Sequence, residues 1–152
     1  LLAMKQIEKI AEGAAYTCVS VGEMATLGEH ILALGPDVKI PGKVFAGRAL
    51  QATGAEISFQ SFPVGGQTGF LHTHKEHEEL YIFIKGQGEF QVDGQNFPVA
   101  EGSIVRVAPE GKRMVRNTGE EALVMICVQY TAATFSEKDA ADGVILAEEF
   151  KW

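Results

Sequence analysis

The stretch Gly66–Gly86, GQTGFLHTHKEHEELYIFIKG, is the most informative part of this sequence. It holds His72 and His74 with one residue between them, and Glu79 follows five positions later. Alternate side chains of a β-strand share a face, so the spacing predicts that both imidazoles point the same way and Thr73 points the other. Glu79 begins the run ELYIFIK, which predicts a neighbouring antiparallel strand that turns this carboxylate toward the histidines. Two imidazoles and a carboxylate are a common ligand set for divalent metal ions.

Short strand-like runs separated by glycine-marked turns fill residues 43–131. Such regular punctuation predicts an all-β fold, an antiparallel β-sandwich or barrel. Asp93-Gly94 is the clearest hairpin signal, because a type I′ turn needs positive φ at both central residues. The predicted strands are KVFAGRAL (43–50), AEISFQSF (55–62), GFLHTH (69–74), ELYIFIK (79–85), GEFQV (88–92), QNFPV (95–99), SIVRVA (103–108), KRMVRN (112–117) and ALVMICVQY (122–130).

The two flanks of this region have weaker patterns. Residues 1–42 are expected to form an amino-terminal arm, and residues 132–152 a carboxyl-terminal tail that packs back on the barrel. Met4-Lys5 resembles a natural start, which predicts that residues 1–3 take no part in the fold. Within the arm the patterns predict a short helix over Met4–Glu12, a strand over Tyr16–Val21 and a further short element over Glu29–Leu34.

The composition is that of one globular domain of 152 residues with a net charge of −7. No cluster of Lys and Arg is present, so the sequence argues against a nucleic-acid-binding surface. No apolar run is long enough to span a membrane, and no export signal is evident. Cys18 and Cys127 are too few and too far apart for a disulfide framework, which predicts reduced thiols and a cytoplasmic location.

The spacing around the two histidines resembles the first conserved motif of the cupin superfamily, whose members are small double-stranded β-helix barrels. The match is complete in residue type and spacing. The resemblance covers residues 43–131 and implies a cupin β-barrel similar to small single-domain bacterial cupins of unassigned activity. The motif residues are Gly66, His72, His74, Glu79 and Gly86 in the first motif and Gly102, Pro109, Gly111 and Asn117 in the second.

The second motif lacks the third histidine that cupins place there. Counting forward from Pro109 puts Met114 in its slot. Counting back from Asn117 puts Arg113 there, because the sequence is one residue short. An inward Arg113 either holds an anionic substrate in a bidentate fork or pairs with Glu79 and removes the need for a metal. In the other alternative Met114 fills the interior and Arg113 lies on the outer face.

Several neighbours of the histidines are candidates for the pocket wall. Alternation places Tyr81 and Phe83 on the same face as Glu79, where they line the pocket floor or belong to the barrel core. His77 lies between two predicted strands and is expected to be a loop residue, not a metal ligand. Gln60 alternates with apolar residues that are expected to occupy the interior, so it is expected to face away from the pocket.

The resemblance implies a metal-binding cupin enzyme that acts on a small, anionic organic molecule with bound Fe, Mn, Zn or Ni. Cupins include dioxygenases, isomerases, decarboxylases and epimerases, and the sequence does not select among these chemistries. The missing histidine favours the alternative, a non-catalytic module that binds a sugar or an acid, with or without metal. The implied metal ligands are His72, His74 and Glu79, and the candidate substrate-binding residues are Arg113, Tyr81, Phe83 and Met114.

Two predicted strands are apolar on both faces, Leu80–Ile84 and Leu123–Val128. Continuous apolar runs are expected where both faces of a strand are covered. One face is the barrel interior, and the other carries Leu80, Ile82 and Ile84. This second face is larger than an arm of this length can cover, so the sequence predicts a homodimer built on the outer faces of these strands.

Overall fold

The structure is a computed structural model that describes residues 4–152. The proposal that residues 1–3 take no part in the fold therefore lies outside the described residues. The strands are β1 (Glu8–Gly13), β2 (Tyr16–Ser20), β3 (Ile31–Leu34), β4 (Val38–Pro41), β5 (Lys43–Phe45), β6 (Glu56–Phe62), β7 (His77–Lys85), β8 (Gln87–Val92), β9 (Gln95–Ala100), β10 (Ile104–Val107), β11 (Arg113–Asn117) and β12 (Leu123–Thr131). One short helix, α1 (Gly47–Leu50), and two 3-10 turns, Met24–Glu29 and Asp139–Ala141, complete the described elements.

Two antiparallel sheets form the main body of the molecule. The larger has the strand order β10-β7-β12-β6-β5, and the smaller has the order β11-β8-β9. Their inner faces share one core, to which all strands from β6 to β12 contribute a buried residue. The predicted all-β fold over residues 43–131 is confirmed, with the sheets packed face to face around a common interior.

Strand β7 shows how the sequence pattern sets the two faces of the larger sheet. Glu79, Tyr81 and Phe83 are buried on the inner face, whereas Leu80 and Ile82 between them are half-buried on the outer face. This alternation follows the period of two expected of a strand. The inner row therefore carries a carboxylate and two aromatic rings into the interior.

The turns follow the sequence signals closely. Strand β8 ends at Val92 and β9 begins at Gln95, and the intervening Asp93 and Gly94 have φ of 50° and 80°. Both central residues are thus in the left-handed region that a type I′ hairpin requires. Gly86 also has a positive φ, of 87°, and a Cβ there would overlap the carbonyl oxygen of Ala122. Only glycine fits that position without displacing the neighbouring chain.

The amino-terminal arm lies against the outer face of the larger sheet. Its Val21 and Leu27 are buried together with Val124 of β12, and Phe59 and Ile84 pack on this cluster. The arm therefore covers part of the outer face, from β5 across β6 and β12 to the end of β7. The predicted strand over Tyr16–Val21 is observed as β2.

The predicted helix over Met4–Glu12 is wrong. Residues Glu8–Gly13 form strand β1, which pairs with β2 in a hairpin. The weak helical pattern of this stretch is outweighed by the inter-strand hydrogen bonds, because short isolated helices are marginal in water. The further element expected over Glu29–Leu34 is divided between the end of a 3-10 turn and strand β3.

Two of the predicted barrel strands are only partly correct. The run KVFAGRAL forms β5 over its first three residues and then turns into α1, whose first amide, on Gly47, donates to the Glu56 carboxylate at 2.8 Å. The run GFLHTH is not a regular strand, because a single isolated bridge, His72 to Arg113, joins it to β11. The segment instead follows β11 as an irregular ribbon.

The tail does not pack on the barrel as predicted. Every residue from Ala133 to Trp152 is exposed, including the apolar side chains of Phe135, Ile145 and Phe150. Its sequence alternates acidic and apolar residues too irregularly to present one continuous apolar face to the sheet. Within residues 4–152, no helix is both long and apolar enough to cross a membrane.

Candidate functional site

A cavity of about 40 Å³ lies between the two sheets. One water molecule needs roughly 10–15 Å³ of such space, so this cavity admits a ligand of only a few non-hydrogen atoms. Its wall combines apolar rings with polar groups from both sheets. The polar side chains that carry the chemistry are those of His72, Glu79, Arg113, Cys127, Gln129 and Lys43.

The two histidines are positioned by the irregular ribbon that follows β11. The amide of Arg113 donates to the carbonyl of His72 at 3.2 Å, and the amide of His74 donates to the carbonyl of Pro109 at 2.8 Å. Further along, Thr68 exchanges hydrogen bonds with the backbone of Val115. These bonds hold the ribbon against the smaller sheet and aim both imidazoles at β7.

Glu79 is the point on which the histidines converge. Its Oε1 lies 3.2 Å from His74 Nε2 and 3.7 Å from His72 Nε2. The two imidazole centroids are 5.2 Å apart. The sequence prediction that His72, His74 and Glu79 come together is therefore met geometrically, although the histidines lie on a ribbon and not on a regular strand.

Within residues 4–152, two of the imidazole nitrogens have no hydrogen-bonding partner. Both His72 Nδ1 and His74 Nε2 are buried and unsatisfied. His74 Nε2 is close to the Glu79 carboxylate but lacks the alignment of a hydrogen bond. Burial lowers the pKa of His74, and the Glu79 carboxylate only partly offsets this. The ring is thus neutral near pH 7, with a lone pair free to bind a metal.

Arg113 points into the interior, as the first of the two sequence alternatives predicts. Its side chain is only 1% exposed, and Nη1 donates to Glu79 Oε1 at 2.6 Å. The remaining guanidinium groups donate to backbone carbonyls: Nε to Gly111, and Nη2 to Ala108 and Pro109. Four of the five N–H groups of this guanidinium are therefore already used inside the protein.

Glu79 is ionised in this environment. Burial alone would raise its pKa, but His72, Tyr81 and Cys127 stabilise the carboxylate and hold the pKa far below its usual range. Tyr81 Oη donates to Oε1 at 2.6 Å, and Cys127 Sγ donates to Oε2 at 3.1 Å. Burial, with the Glu79 charge, raises the pKa of both donors far above their ordinary values. The phenol and the thiol are thus neutral donors at physiological pH.

The cavity also contains polar residues that sequence reasoning missed. Ser58 and Gln60 are buried and line the cavity, so the expectation that Gln60 faces away is wrong. The apolar Phe59 between them packs instead under the amino-terminal arm. The apolar side chains of a strand usually face the interior. In β6 they face the arm instead, and this orientation follows from the register of β6 with its neighbours and not from its own sequence pattern.

The other predicted pocket residues occupy three different places. Tyr81 lines the cavity, whereas Phe83 belongs to the core, where it meets Phe90 with ring centroids 6.3 Å apart. Met114 is half-buried at the cavity edge. His77 is the first residue of β7 and not a loop residue, and its Nδ1 lies 3.0 Å from Gln129 Oε1.

Comparisons with known proteins agree with this fold. The family model described as "Cupin domain" matches residues 58–129. The crystal structure of a cupin protein from Bacteroides fragilis is 30% identical in sequence, covers 76% of this chain and 94% of its own, and superposes with a TM-score of 0.65. The chain belongs to the cupin superfamily. A relative among curated proteins, an uncharacterised protein of Methanocaldococcus jannaschii, is 32% identical over 68 residues, 45% of this chain. This cupin spans about half the length of that relative, 54%.

The second-motif asparagine, Asn117, has a structural role in this cupin. Asn117 Nδ2 donates to the carbonyls of Phe62, Pro63 and Glu121 at 2.8–3.1 Å, and its Oδ1 accepts the amide of Gly119 at 2.9 Å. One buried amide thus ties the ends of β6 and β11 to the turn before β12. Its function is to fix the walls of the barrel, at a distance from the polar cluster.

Proposed function

We propose that this cupin binds a divalent metal ion through His72, His74 and Glu79 and acts as an enzyme on a small organic acid. The observation that carries this proposal is the unsatisfied Nε2 of His74, which lies 3.2 Å from the buried Glu79 carboxylate, with His72 Nε2 3.7 Å from the same oxygen. A buried polar atom without a hydrogen-bonding partner costs free energy. A bound ligand that contacts the atom would remove this cost.

The spacing of the three side chains fits one ion. Metal–nitrogen and metal–oxygen bonds of about 2.0–2.2 Å place neighbouring ligand atoms roughly 3.0–3.5 Å apart. The observed separations from Glu79 Oε1, 3.2 Å to His74 and 3.7 Å to His72, are close to that range. Nitrogen and carboxylate ligands suit Fe, Mn, Zn or Ni, and such an ion supplies Lewis-acid chemistry, or O₂ chemistry if it is iron.

The residues around this site bind and orient a ligand; none of the polar groups beside the cluster is a ready nucleophile. Tyr81 and Cys127 keep their protons at neutral pH and hold the Glu79 carboxylate in one orientation. Ser58 and Gln60 offer neutral hydrogen-bonding groups to the cavity. Dioxygenase, isomerase and decarboxylase reactions are all compatible with this arrangement, since fold alone does not select a chemistry.

A second candidate function is a metal-free binding module. The specific observation in its favour is the Arg113–Glu79 pair, because the guanidinium and the Tyr81 hydroxyl both donate to the oxygen that faces the histidines. These two bonds occupy the lone pairs of Oε1 and place a positive charge beside the position of the ion. In this alternative the arginine takes the part that a metal has in other cupins.

Elemental analysis of protein purified without chelators separates the two functions. We expect about one equivalent of metal in the wild type and almost none in a His72→Ala, His74→Ala double variant, with the fold intact. The matched control is His77→Ala, which removes a nearby imidazole bonded to Gln129 and is expected to keep its metal. Wild-type protein that takes up no added Fe, Mn, Zn or Ni would favour the metal-free module.

We also propose that this cupin forms a homodimer in the cytoplasm. The amino-terminal arm covers Ile84 and Phe59, but the opposite half of the outer face, beside β10, stays open. Ile104 of β10 is 65% exposed and lies opposite Ile82 of β7. The exposed apolar tail leaves the same sheet at the end of β12 and offers a second copy the side chains to cover this face. The two free cysteines are in keeping with a reducing compartment.

Sedimentation equilibrium tests the dimer. We expect a dimer at micromolar concentration, and Ile82→Glu should shift it to monomer by placing a charge in the apolar contact. Ile10→Glu is the control, since Ile10 lies exposed on β1, away from this face. A wild-type monomer, or equal effects of the two substitutions, would contradict the interface.

A further inference from the structure

The cavity holds two positive side chains, and only one of them has an acidic partner. Arg113 is paired with Glu79 at 2.6 Å. Lys43 also lines the cavity, yet among residues 4–152 no carboxylate lies within ion-pair distance of its ammonium. The charges of Arg113 and Glu79 offset each other, so the wall carries one uncompensated positive charge, that of Lys43.

The register of β5 explains why Lys43 faces inward. Lys43 pairs with Gln60, and Phe45 pairs with Ser58, so these four side chains lie on one face of the sheet. Gln60 and Ser58 are both buried in the interior. The Lys43 ammonium lies 5.2 Å from the centroid of the Phe45 ring, which keeps it over the cavity wall.

Lys43 and Glu79 line the same cavity from two different strands of the larger sheet. Strand β5 is separated from β7 by β12 and β6, a distance of about 14 Å between backbones at the usual strand spacing. The side chains between them are neutral hydrogen-bonding groups, namely Ser58, Gln60 and Gln129. A ligand in this cavity can therefore meet both the Lys43 cation and the His72 imidazole.

Arg113 is poorly suited to bind an incoming anion. Four of its N–H groups are used by Glu79 and three backbone carbonyls, and its side chain is almost fully buried. A bidentate fork needs two parallel N–H groups free at once. The sequence expectation that Arg113 orients a small acid therefore loses its geometric basis, while a half-buried ammonium without a partner retains all three donors.

We propose that the ligand of this cupin is a small monocarboxylic acid with at least one further polar group, and that Lys43 binds its carboxylate. This inference rests on the small-molecule binding of the proposed function, and it names the ligand class and the residue that selects it. The single uncompensated charge favours one carboxylate over two, and the cavity volume of about 40 Å³ restricts the acid to a few non-hydrogen atoms.

Lactate and its neutral isostere lactamide serve as matched probes, with binding followed by NMR chemical-shift titration of the ¹⁵N-labelled full chain. We expect the wild type to bind lactate roughly 10- to 100-fold more tightly than lactamide, as expected for a hydrogen bond between two charged groups. Lys43→Met should remove this preference by weakening lactate alone. Lys43→Arg should keep it, because the charge remains.

Lys39→Met is the matched control, since Lys39 lies exposed on β4, outside the cavity. Lys43→Gln provides a second neutral variant should Lys43→Met fold poorly. A preference for lactate that survives in both neutral variants, equal loss of both probes, or wild-type protein without the preference would each overturn the assignment. Metal content measured on the same samples keeps the two proposals apart: a protein without metal that still prefers lactate refutes the metal site and supports Lys43.

Discussion

Arg113 and Lys43 line one cavity but occupy opposite physical situations. Arg113 lies on β11, an edge strand of the smaller sheet, is 1% exposed and donates four hydrogen bonds, one of them to Glu79. Lys43 lies on the edge strand β5, is half-buried and has no acidic partner among the described residues. The comparison teaches that a buried charge with all its partners inside the protein serves the structure, whereas an unmatched charge on a cavity wall is available to a ligand.

Removing the guanidinium of Arg113 should have the largest effect on stability. Arg113→Met should lower the free energy of unfolding by about 3–5 kcal/mol, because Glu79 then stays buried with its charge uncompensated. Urea denaturation of the two proteins measures the difference. Adding Glu79→Gln to Arg113→Met should recover a large part of the loss, and a double variant as unstable as the single one would argue that the pair is not coupled.

Low pH should reduce the stability that the ionised Glu79 carboxylate contributes. The pKa of Glu79 lies below its value in the unfolded chain, so its contribution to stability is fully present above about pH 4.3 and is lost as the pH falls toward the folded pKa. Stability measured between pH 6 and pH 3 in the wild type and in Glu79→Gln isolates this group from the other carboxylates. The two curves should converge on acidification, and parallel curves would show that Glu79 titrates normally.

Tyr81 supplies the next smaller effect. Tyr81→Phe deletes the hydroxyl that donates to Glu79 Oε1 at 2.6 Å while keeping the ring in the core. We expect a loss of about 1.5–3 kcal/mol in the free energy of unfolding near pH 7, the usual worth of a hydrogen bond to a charged group. Thermal or urea unfolding measures it. Tyr130→Phe is the control, because its hydroxyl bonds to the more exposed Glu78 and should matter less.

Lys43 should give the smallest effect on stability. Lys43→Met removes a half-buried charge that contacts the Phe45 ring but has no acidic partner among the described residues, so the free energy of unfolding should change by no more than about 1 kcal/mol. A cost near that of Arg113→Met would mean that Lys43 has a structural partner after all, and the contrast between the two cations would fail. Urea denaturation under the same conditions makes the values comparable.

The sequence predicted the centre of the site because its residues are local. The spacing of His72, His74 and Glu79 and the alternation along β7 depend on neighbours within one hairpin-sized stretch. The Asp93-Gly94 turn was predicted for the same reason. Features of this kind depend on neighbouring residues in the sequence, so they can be predicted without knowing which strands pair.

What the sequence did not predict depends on contacts between distant segments. Gln60 was expected to face outward, because the cover that the arm gives to Phe59 cannot be read from the pattern of β6. The sequence did not predict Lys43 as a cavity residue, because its inward orientation depends on its pairing with Gln60. The choice between Arg113 and Met114 was open for a related reason: one missing residue shifts the face of every side chain in β11.

The contacts of Arg113 also bear on how the molecule opens. This one side chain joins the carbonyls at 108, 109 and 111 to Glu79, a residue 34 positions away in the chain. Separation of β11 from the ribbon would break these hydrogen bonds. It would also break the hydrogen bonds that the backbone amides of Arg113 and His74 donate. The turn, the ribbon and the carboxylate therefore constitute one cooperative unit, in which the two amide hydrogens should exchange with deuterium through the same opening event.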